Sequence, residues 1–411
     1  MLQIVQNTTW ASGQTISLTD DVQVAPGVTL TIDPNVIIQG NDHTLSAFGT
    51  IYAHGGLENN ILFQNVHLGL SGSSSYSGFL DLDHIQIDGG SIERAGQFTY
   101  GHFNLTNSLV SHLSAYTYAW YPTALTKISN NIFVDFPGIT LGTGASVTLG
   151  SSTGTIEIDH NIFDRYSTNG FYNYSNGYAI NSFAGYGSNK PLSHDNAFLD
   201  SGLTTLVLQY NSGELISRND FFGTVDQSKI SQMIIDSADD FSITHSIDTS
   251  TAASSPSPGL PDRLYSYTTI SMPEAIVKFA KLVGSGNSNL TGNNIGNTLI
   301  GNDGNNVITA GHGSSMLIGG GGVDTAVLPF SLVDAVFDFS HPGEIVASTI
   351  GGDVISMSGF EKYYFTDGSL NPFSKSALVD DLYYSAINKD VYSSHIEPTT
   401  HFNQSGWHEG R

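Results

Sequence analysis

The chain of 411 residues contains no cysteine, so no disulfide framework can hold it together. Basic residues are scarce. Lys and Arg total 13 against 37 Asp and Glu, a net charge of −24. Such a charge repels phosphate backbones and anionic membranes, which argues against nucleic-acid binding, and it disfavours polyanionic substrates unless calcium bridges them. No apolar run is long enough to span a bilayer, so membrane insertion is not expected, and "MLQIVQNTTW" lacks the basic start and apolar core of a signal peptide. Helical periodicity is nearly absent between Ser17 and Asp248.

Glycine, by contrast, is abundant, at 45 residues. It crowds the stretch "GNNIGNTLIGNDGNNVITAGHGSSMLIGGGGVDTAV" from Gly292 to Val327, yet Leu290, Leu299, Ile308, Leu317 and Ala326 return nine residues apart. Gly286, Gly304, Gly313 and Gly322 fall in one column of that alignment, and Gly284, Gly311 and Gly320 in another. A flexible linker has no reason to keep an apolar residue in phase over five units. A repeat of tight turn and short strand does, with glycine supplying positive φ and the apolar residue filling a narrow core.

The last unit, Gly319 to Val327, resembles the nonapeptide of the repeats-in-toxin (RTX, hemolysin-type) calcium-binding family, G-G-x-G-x-D-x-(apolar)-x. In that family the sixth-position aspartate and turn carbonyls hold calcium. Here the sixth position reads Ser288, Asn297, Asn306, Ser315 and Asp324, with one carboxylate among five. Calcium takes six to eight oxygens with charged ligands among them. With alternate units stacked, Ser288, Asn306 and Asp324 share one edge. Two readings stand: one weakly held calcium between Asn306 and Asp324, helped by Asp303, or a metal-free roll held by backbone bonds and asparagines. The resemblance also implies type I secretion without a cleaved leader, hence an extracellular location.

Upstream, "VQVAPGVTLTIDPNVIIQG" and "GTIYAHGGLENNILFQNVHL" alternate β-branched residues with turn residues. An apolar–x–x–Asn–x–Phe phrase recurs around Asn131, Asn161 and Asn219, with looser copies at Asn65, Asn107 and Asn196. From Asn107 the intervals are 24, 30, 35 and 23 residues, the length of one β-helix turn with variable loops. Asparagines bonding along the coil axis, with phenylalanines stacked inside, suit that spacing. These coils resemble right-handed parallel β-helix proteins of the pectate-lyase-like superfamily, a resemblance covering over half the chain and specifying fold better than function.

The expected fold is therefore all-β: a right-handed parallel β-helix over 1–248, a linker over 249–270, then a capping helix, degenerate RTX-like β-roll and closing β module over 271–370. A helical tail follows over 371–411. Ser271-Met-Pro-Glu274 has the form of a capping box, which predicts a short helix to about Leu282. In the tail, Asn388, Asp390, Val391, His401, Phe402, Gly406, Trp407, Glu409, Gly410 and Arg411 match a short repeat found near the ends of large secreted alphaproteobacterial proteins. That repeat continues past the arginine, which allows the chain to be a fragment. Trp407 with Tyr383 and Tyr384 reads as a small core.

Candidate chemistry on the β-helix is sparse. Lyases and epimerases acting on uronates need a base and a cation, and the richest stretch runs from His160 to Tyr166. One reading makes His160, Asp164 and Arg165 an acid–base group; the other makes Asp135–Arg165 a surface ion pair of little energy. Register places Asn130, His160 and Arg218 in one column, provided that no coil intervenes. Tyr116, Tyr118, Trp120, Tyr172 and Tyr174 offer flat faces for sugar rings, or cover the coil's flank. Two functions follow as expectations: a surface, adhesive or matrix component contacting polysaccharide or a cell surface, or a polysaccharide lyase or uronate C5-epimerase.

Overall fold

A computed structural model describes residues 1–73, 75–94, 101–114, 117–120, 122–144, 154–166, 178–186, 190–199, 204–208, 215–370 and 379–411. The chain divides into two compact units, Met1–Pro261 and Asp262–Arg411.

The first unit is a parallel β-helix. Most coils give one short strand to each of three sheets, so that most neighbours in a sheet are three strands apart in sequence, with Gly72–Ser73 an extra strand paired antiparallel to Tyr76–Asp83. The first sheet runs from Leu2–Ile4 to Ile234–Ile235, the second from Thr8–Trp10 to Ile216–Arg218, the third from Thr15–Ser17 to Ala197–Phe198. Alternation within strands sends every second residue inward. In the second sheet Ile32, Ala53, Leu82, Leu105, Ile128 and Ile158 form one inward column, all within 1% of full burial. The third sheet carries a phenylalanine stack, with Phe133, Phe163, Phe198 and Phe222 centred 5.0, 5.0 and 5.4 Å apart.

From the coil of His84 onward, the corner between second and third sheets is built from two residues per coil, where the first three coils use four to six. The first is left-handed: His84, Asn107, Asn130, His160, Asp195 and Asn219 have φ between 49° and 57°, a region in which Asn, Asp and His are enriched. The second turns inward and bonds along the axis. Asn131 Nδ2 donates to Asn161 Oδ1 at 2.9 Å, Asn161 Nδ2 to Asn196 Oδ1 at 2.9 Å, and Asn196 Nδ2 to Asp220 Oδ1 at 3.0 Å. Each amide also donates to a carbonyl one coil back, Asn161 to Ile128 and Asn196 to Ile158. The expected ladder is present, but its register differs from expectation at one end. Asn219 is the left-handed residue of its corner, Asp220 takes the ladder position, and Phe222 rather than Phe221 joins the stack. Asn107 is likewise a left-handed corner residue, and Asn65 (φ 50°) lies at the turn from third to first sheet.

The segment expected to be a linker is divided. Residues up to Pro261 belong to the first unit, where Ala252 packs on the core and Thr251 O and Ala253 N bond Asn219 and Asp220. Arg263 already opens a strand, Arg263–Ser266, of the second unit.

That unit is a two-sheet parallel β-roll. Ile270, Leu290, Ile308, Ala326 and Tyr363 form the inward column of one sheet, and Ala280, Leu299, Leu317 and Met357 that of the other. The nine-residue rhythm is thus half a coil per unit. Coils stack so closely that a Cβ on Gly319 would lie 1.9 Å from the Gly359 carbonyl oxygen. No capping helix forms over 271–282. The chain there makes strands Ile270–Ser271 and Phe279–Leu282, because its apolar residues fill the roll and Asn293 Nδ2 takes the carbonyls of Pro273 and Val277. Antiparallel strands Val336–Asp338, Ile345–Ser348 and Gly368–Leu370 close the two sheets.

The tail is helical at Asp381–Ile387, Lys389–Ser393, Pro398–His401 and Trp407–Glu409. Its core is Val379, Tyr384 and Val391 with Phe402. Trp407 and Tyr383 are instead 70% and 50% exposed, so only Tyr384 of the expected aromatic trio is inside. No helix among the described residues is long and apolar enough to cross a membrane.

Candidate functional site on the second sheet

Outward positions of the second sheet form two parallel rows, one residue per coil. The first contains Tyr52, Asp81, Asn104, Lys127, Glu157 and Leu192; the second contains His54, Asp83, Thr106, Ser129, Asp159, His194 and Arg218. Strand spacing puts successive residues about 4.8 Å apart. All of them but Leu192 carry a polar group.

At the upper end, Tyr52 stacks on His54 with ring centroids 3.8 Å apart, and His54 Nε2 lies 3.1 Å from Asp81 Oδ2. Asn104 Nδ2 donates to Asp81 Oδ1 at 3.2 Å. Burial raises the Asp83 carboxyl, but bonds from His84, Thr106 and Asn107 bring it down to about 2.

Charge concentrates on the next coils. Asp159 Oδ1 accepts from Ser129 Oγ at 2.7 Å and lies 2.9 Å from His160 Nδ1. Its Oδ2 is buried without a hydrogen bond, the nearest cation being Lys127 Nζ at 3.9 Å. His194 Nε2 lies 3.1 Å from Glu157 Oε1 and its Nδ1 2.9 Å from Asp195 Oδ2, and the other oxygen of that carboxylate, Oδ1, accepts from Asn219 Nδ2 at 2.9 Å. Burial lowers the His194 imidazole, yet these two carboxylates together leave it raised above its ordinary value. A base, carboxylates and a lysine therefore share one patch.

The sequence-predicted trio is not assembled as a unit. His160 sits at the corner, paired with Asp159 and covered by Gly259, where a Cβ would lie 2.6 Å from the ring. Asp164 and Arg165 lie on the third-sheet strand Ile162–Tyr166, where the guanidinium bonds Asp135 at 3.0 Å and Asp164. A coil does intervene in the expected Asn130–His160–Arg218 column. Asp195 follows His160 at that corner, and Arg218 pairs in register with His194. The Asn130–His160–Arg218 column passes over the coil of Asn196, and with it His194, which stands in register beside Asp159. Residues two before Asn131, Asn161, Asn196 and Asp220 fall in one outward row, whereas the Asn219 anchor shifts the last coil by one.

Of the aromatic candidates, Tyr118 is half-buried and packs with Tyr178 and Val207. Tyr116, Tyr172 and Tyr174, and the side chain of Trp120, lie outside the described residues.

In the roll, Ser288, Asn306 and Asp324 share one edge as expected, and they bond one another. Asn306 Nδ2 donates to Ser288 O at 2.7 Å, and Asn306 N to Asp324 Oδ1 at 2.8 Å. Asn306 and Asn302 bond reciprocally across their turn, and Asp303 is exposed. Asp324 N donates to Glu361 Oε2 at 2.7 Å, and Asp324 Oδ2 is buried without a hydrogen bond. Burial and the Glu361 charge hold the Asp324 carboxyl above its ordinary range, against the bond from Asn306.

Comparison of the chain with protein-family models, curated proteins and solved structures finds no match in any of the three.

Proposed function

We propose that this is an extracellular, type I-secreted protein of the surface, adhesive or matrix class, whose β-helix contacts a linear polysaccharide along the second sheet. The observation that carries the reading is the double row of outward polar residues repeating once per coil. A sugar chain laid along the axis would meet a new pair of side chains at each coil, with Tyr52 as an exposed stacking face and Asn104 and Lys127 as donors. The affinities to pectate-lyase-like helices and to RTX rolls belong to the same proposal. The test is affinity electrophoresis on neutral and uronate polysaccharides. Retardation by one of them, weakened tenfold or more in Tyr52→Ala and Asn104→Ala, supports the reading; no retardation by any of them sinks it.

The second unit would bind calcium weakly, at the pair Asp324 and Glu361 rather than at Asp303. The orphaned, buried Oδ2 of Asp324 beside a second carboxylate fits such an ion, whereas the Asn306 amide is already spent on its neighbours. With a Kd near millimolar, millimolar calcium adds under about 1 kcal/mol.

A second reading, a lyase or epimerase acting on uronate polymers, draws support from Lys127, Asp159 and His194 sharing one patch: lysine to face a uronate carboxylate and histidine as base. Incubation with alginate and pectate, following absorbance of the unsaturated product and the uronate epimer ratio, decides it. Turnover lost in His194→Gln and Lys127→Met would displace the adhesive reading, and absence of turnover on every polymer removes the enzymatic one.

A further inference from the structure

We infer that Glu157, Asp159 and His194 form a binding site for one divalent transition ion of the zinc class, a use of Asp159 and His194 different from the one the lyase reading gives them. Each of the three offers a ligand atom, and these atoms all lie within 4.8 Å of one another. They come from adjoining strands, Ile156–Asp159 and Leu192–His194, with Asp159 and His194 in direct register.

The second observation is Asp159 itself. Its side chain is 8% exposed, yet one of its two oxygens has no hydrogen-bond donor. Burying a carboxylate oxygen without a partner costs free energy that a fold seldom leaves uncompensated. Ser129 and His160 have taken Oδ1, so Oδ2 is the oxygen left to a ligand, and Lys127 Nζ at 3.9 Å is too distant to bond it.

His194 is presented as metal-binding imidazoles commonly are. A proton on Nδ1 donates to Asp195 Oδ2, and Asn219 fixes that carboxylate in turn, so Nε2 faces the site, where an ion would replace the proton it shares with Glu157. From Nε2 to Glu157 Oε1 is 3.1 Å. Ligand bonds near 2.0 Å in a tetrahedral arrangement give neighbouring ligand atoms about 3.3 Å apart, so this pair is already spaced for one ion. A nitrogen with two carboxylates is the donor set of a borderline ion. Calcium and magnesium favour all-oxygen shells. Three protein ligands leave the fourth position to water or substrate. Lys127, which supplies positive charge where the ion would lie, opposes it.

The test uses the full chain, stripped with chelator, titrated with Co2+ by visible absorption and with Zn2+ by calorimetry. One equivalent of Co2+ should bind with tetrahedral-type bands, be displaced by Zn2+, and resist millimolar Ca2+. Glu157→Gln and His194→Gln should each weaken binding tenfold or more, and Asp195→Asn by roughly 10–100-fold. Lys127→Met removes no ligand and should tighten binding severalfold, an outcome that a purely structural role for the cluster does not produce. Asp324→Asn should leave this site unchanged, which separates it from calcium binding in the roll. Thermal unfolding of the metal-free variants checks that each is folded. Absence of stoichiometric binding in the wild type overturns the site, as does unaltered affinity in folded Glu157→Gln and His194→Gln, or unchanged or weaker binding in Lys127→Met. Displacement of Co2+ by millimolar Ca2+ overturns the assigned class of ion.

Discussion

Asp220 ends the amide ladder with a carboxyl group that is fully buried. Ser193 Oγ and Ser217 Oγ donate to its Oδ2 at 2.7 and 2.8 Å, where the inward column of the second sheet changes from isoleucine to serine. Burial pushes its pKa from 3.8 up to about 6, against the bonds from these serines and Asn196. The folded pKa lies above the unfolded one, so the folded chain binds this proton more tightly. Stability from this residue is complete below the unfolded pKa and falls by about 3 kcal/mol as pH rises through 4 to 6. Asp220→Asn should abolish that fall and stabilise the first unit at neutral pH. Urea unfolding at pH 4.5 and pH 7, in wild type and variant, measures both. Asn161→Ala tests the ladder from the other direction. It strips donors and acceptors from Asn131, Asn196 and Ile128 at once, and should cost at least about 3 kcal/mol, since each buried group left unpaired costs about 1–3.

At the scale of elements, the sequence was most readable where one residue type recurs inside a strand or corner. The nine-residue column of Leu290 to Ala326 located the roll, and the asparagine–phenylalanine phrase located the coils. The single-residue slip at Asn219 has a physical cause: Asn suits both the left-handed corner and the ladder, so composition alone could not tell which of two adjacent positions it filled. The site was hidden for a different reason, since the Asn130–His160–Arg218 column passes over the coil that carries His194. Glu157 and Asp159 become neighbours of His194 only through register between coils, and register is set by the ladder. The helix expected at Ser271–Leu282 failed because its local capping signal competes with long-range pairing, and pairing prevailed. Two predictions belong here. Phe163 is held 5.0 Å from both Phe133 and Phe198, and Phe163→Ala should cost about 3–5 kcal/mol, read by denaturant unfolding of the first unit. In the roll, Asp324→Asn should remove the small calcium increment without loss of calcium-free stability, because the carboxylate it replaces is held above its ordinary pKa. Calorimetric titration and thermal scans with and without calcium check this, and several micromolar sites in the wild type would refute the weak-site reading.

At the scale of the whole molecule, each unit has a core of its own, one built on three sheets and the other on two. Thermal scanning should therefore resolve two transitions. Phe163→Ala should lower one and Leu317→Ala the other, while a single transition moved by both would deny that the units melt separately. Fold class was legible across both units, because repetition multiplies a weak local signal. Function was not, because the outward rows repeat nothing in sequence and acquire meaning only when coils are stacked. The corner between second and third sheets has one more consequence. Ser108, Asn131, Asn161, Asn196 and Asp220 succeed one another at intervals of 23, 30, 35 and 24 residues, while this corner keeps its two-residue form throughout. The length variation therefore falls outside this corner, in the strands and loops of the rest of each coil. A lineage can lengthen, shorten or exchange those loops without changing how one coil recognises the next. What such a chain exposes to its surroundings is free to diverge while its winding is inherited intact.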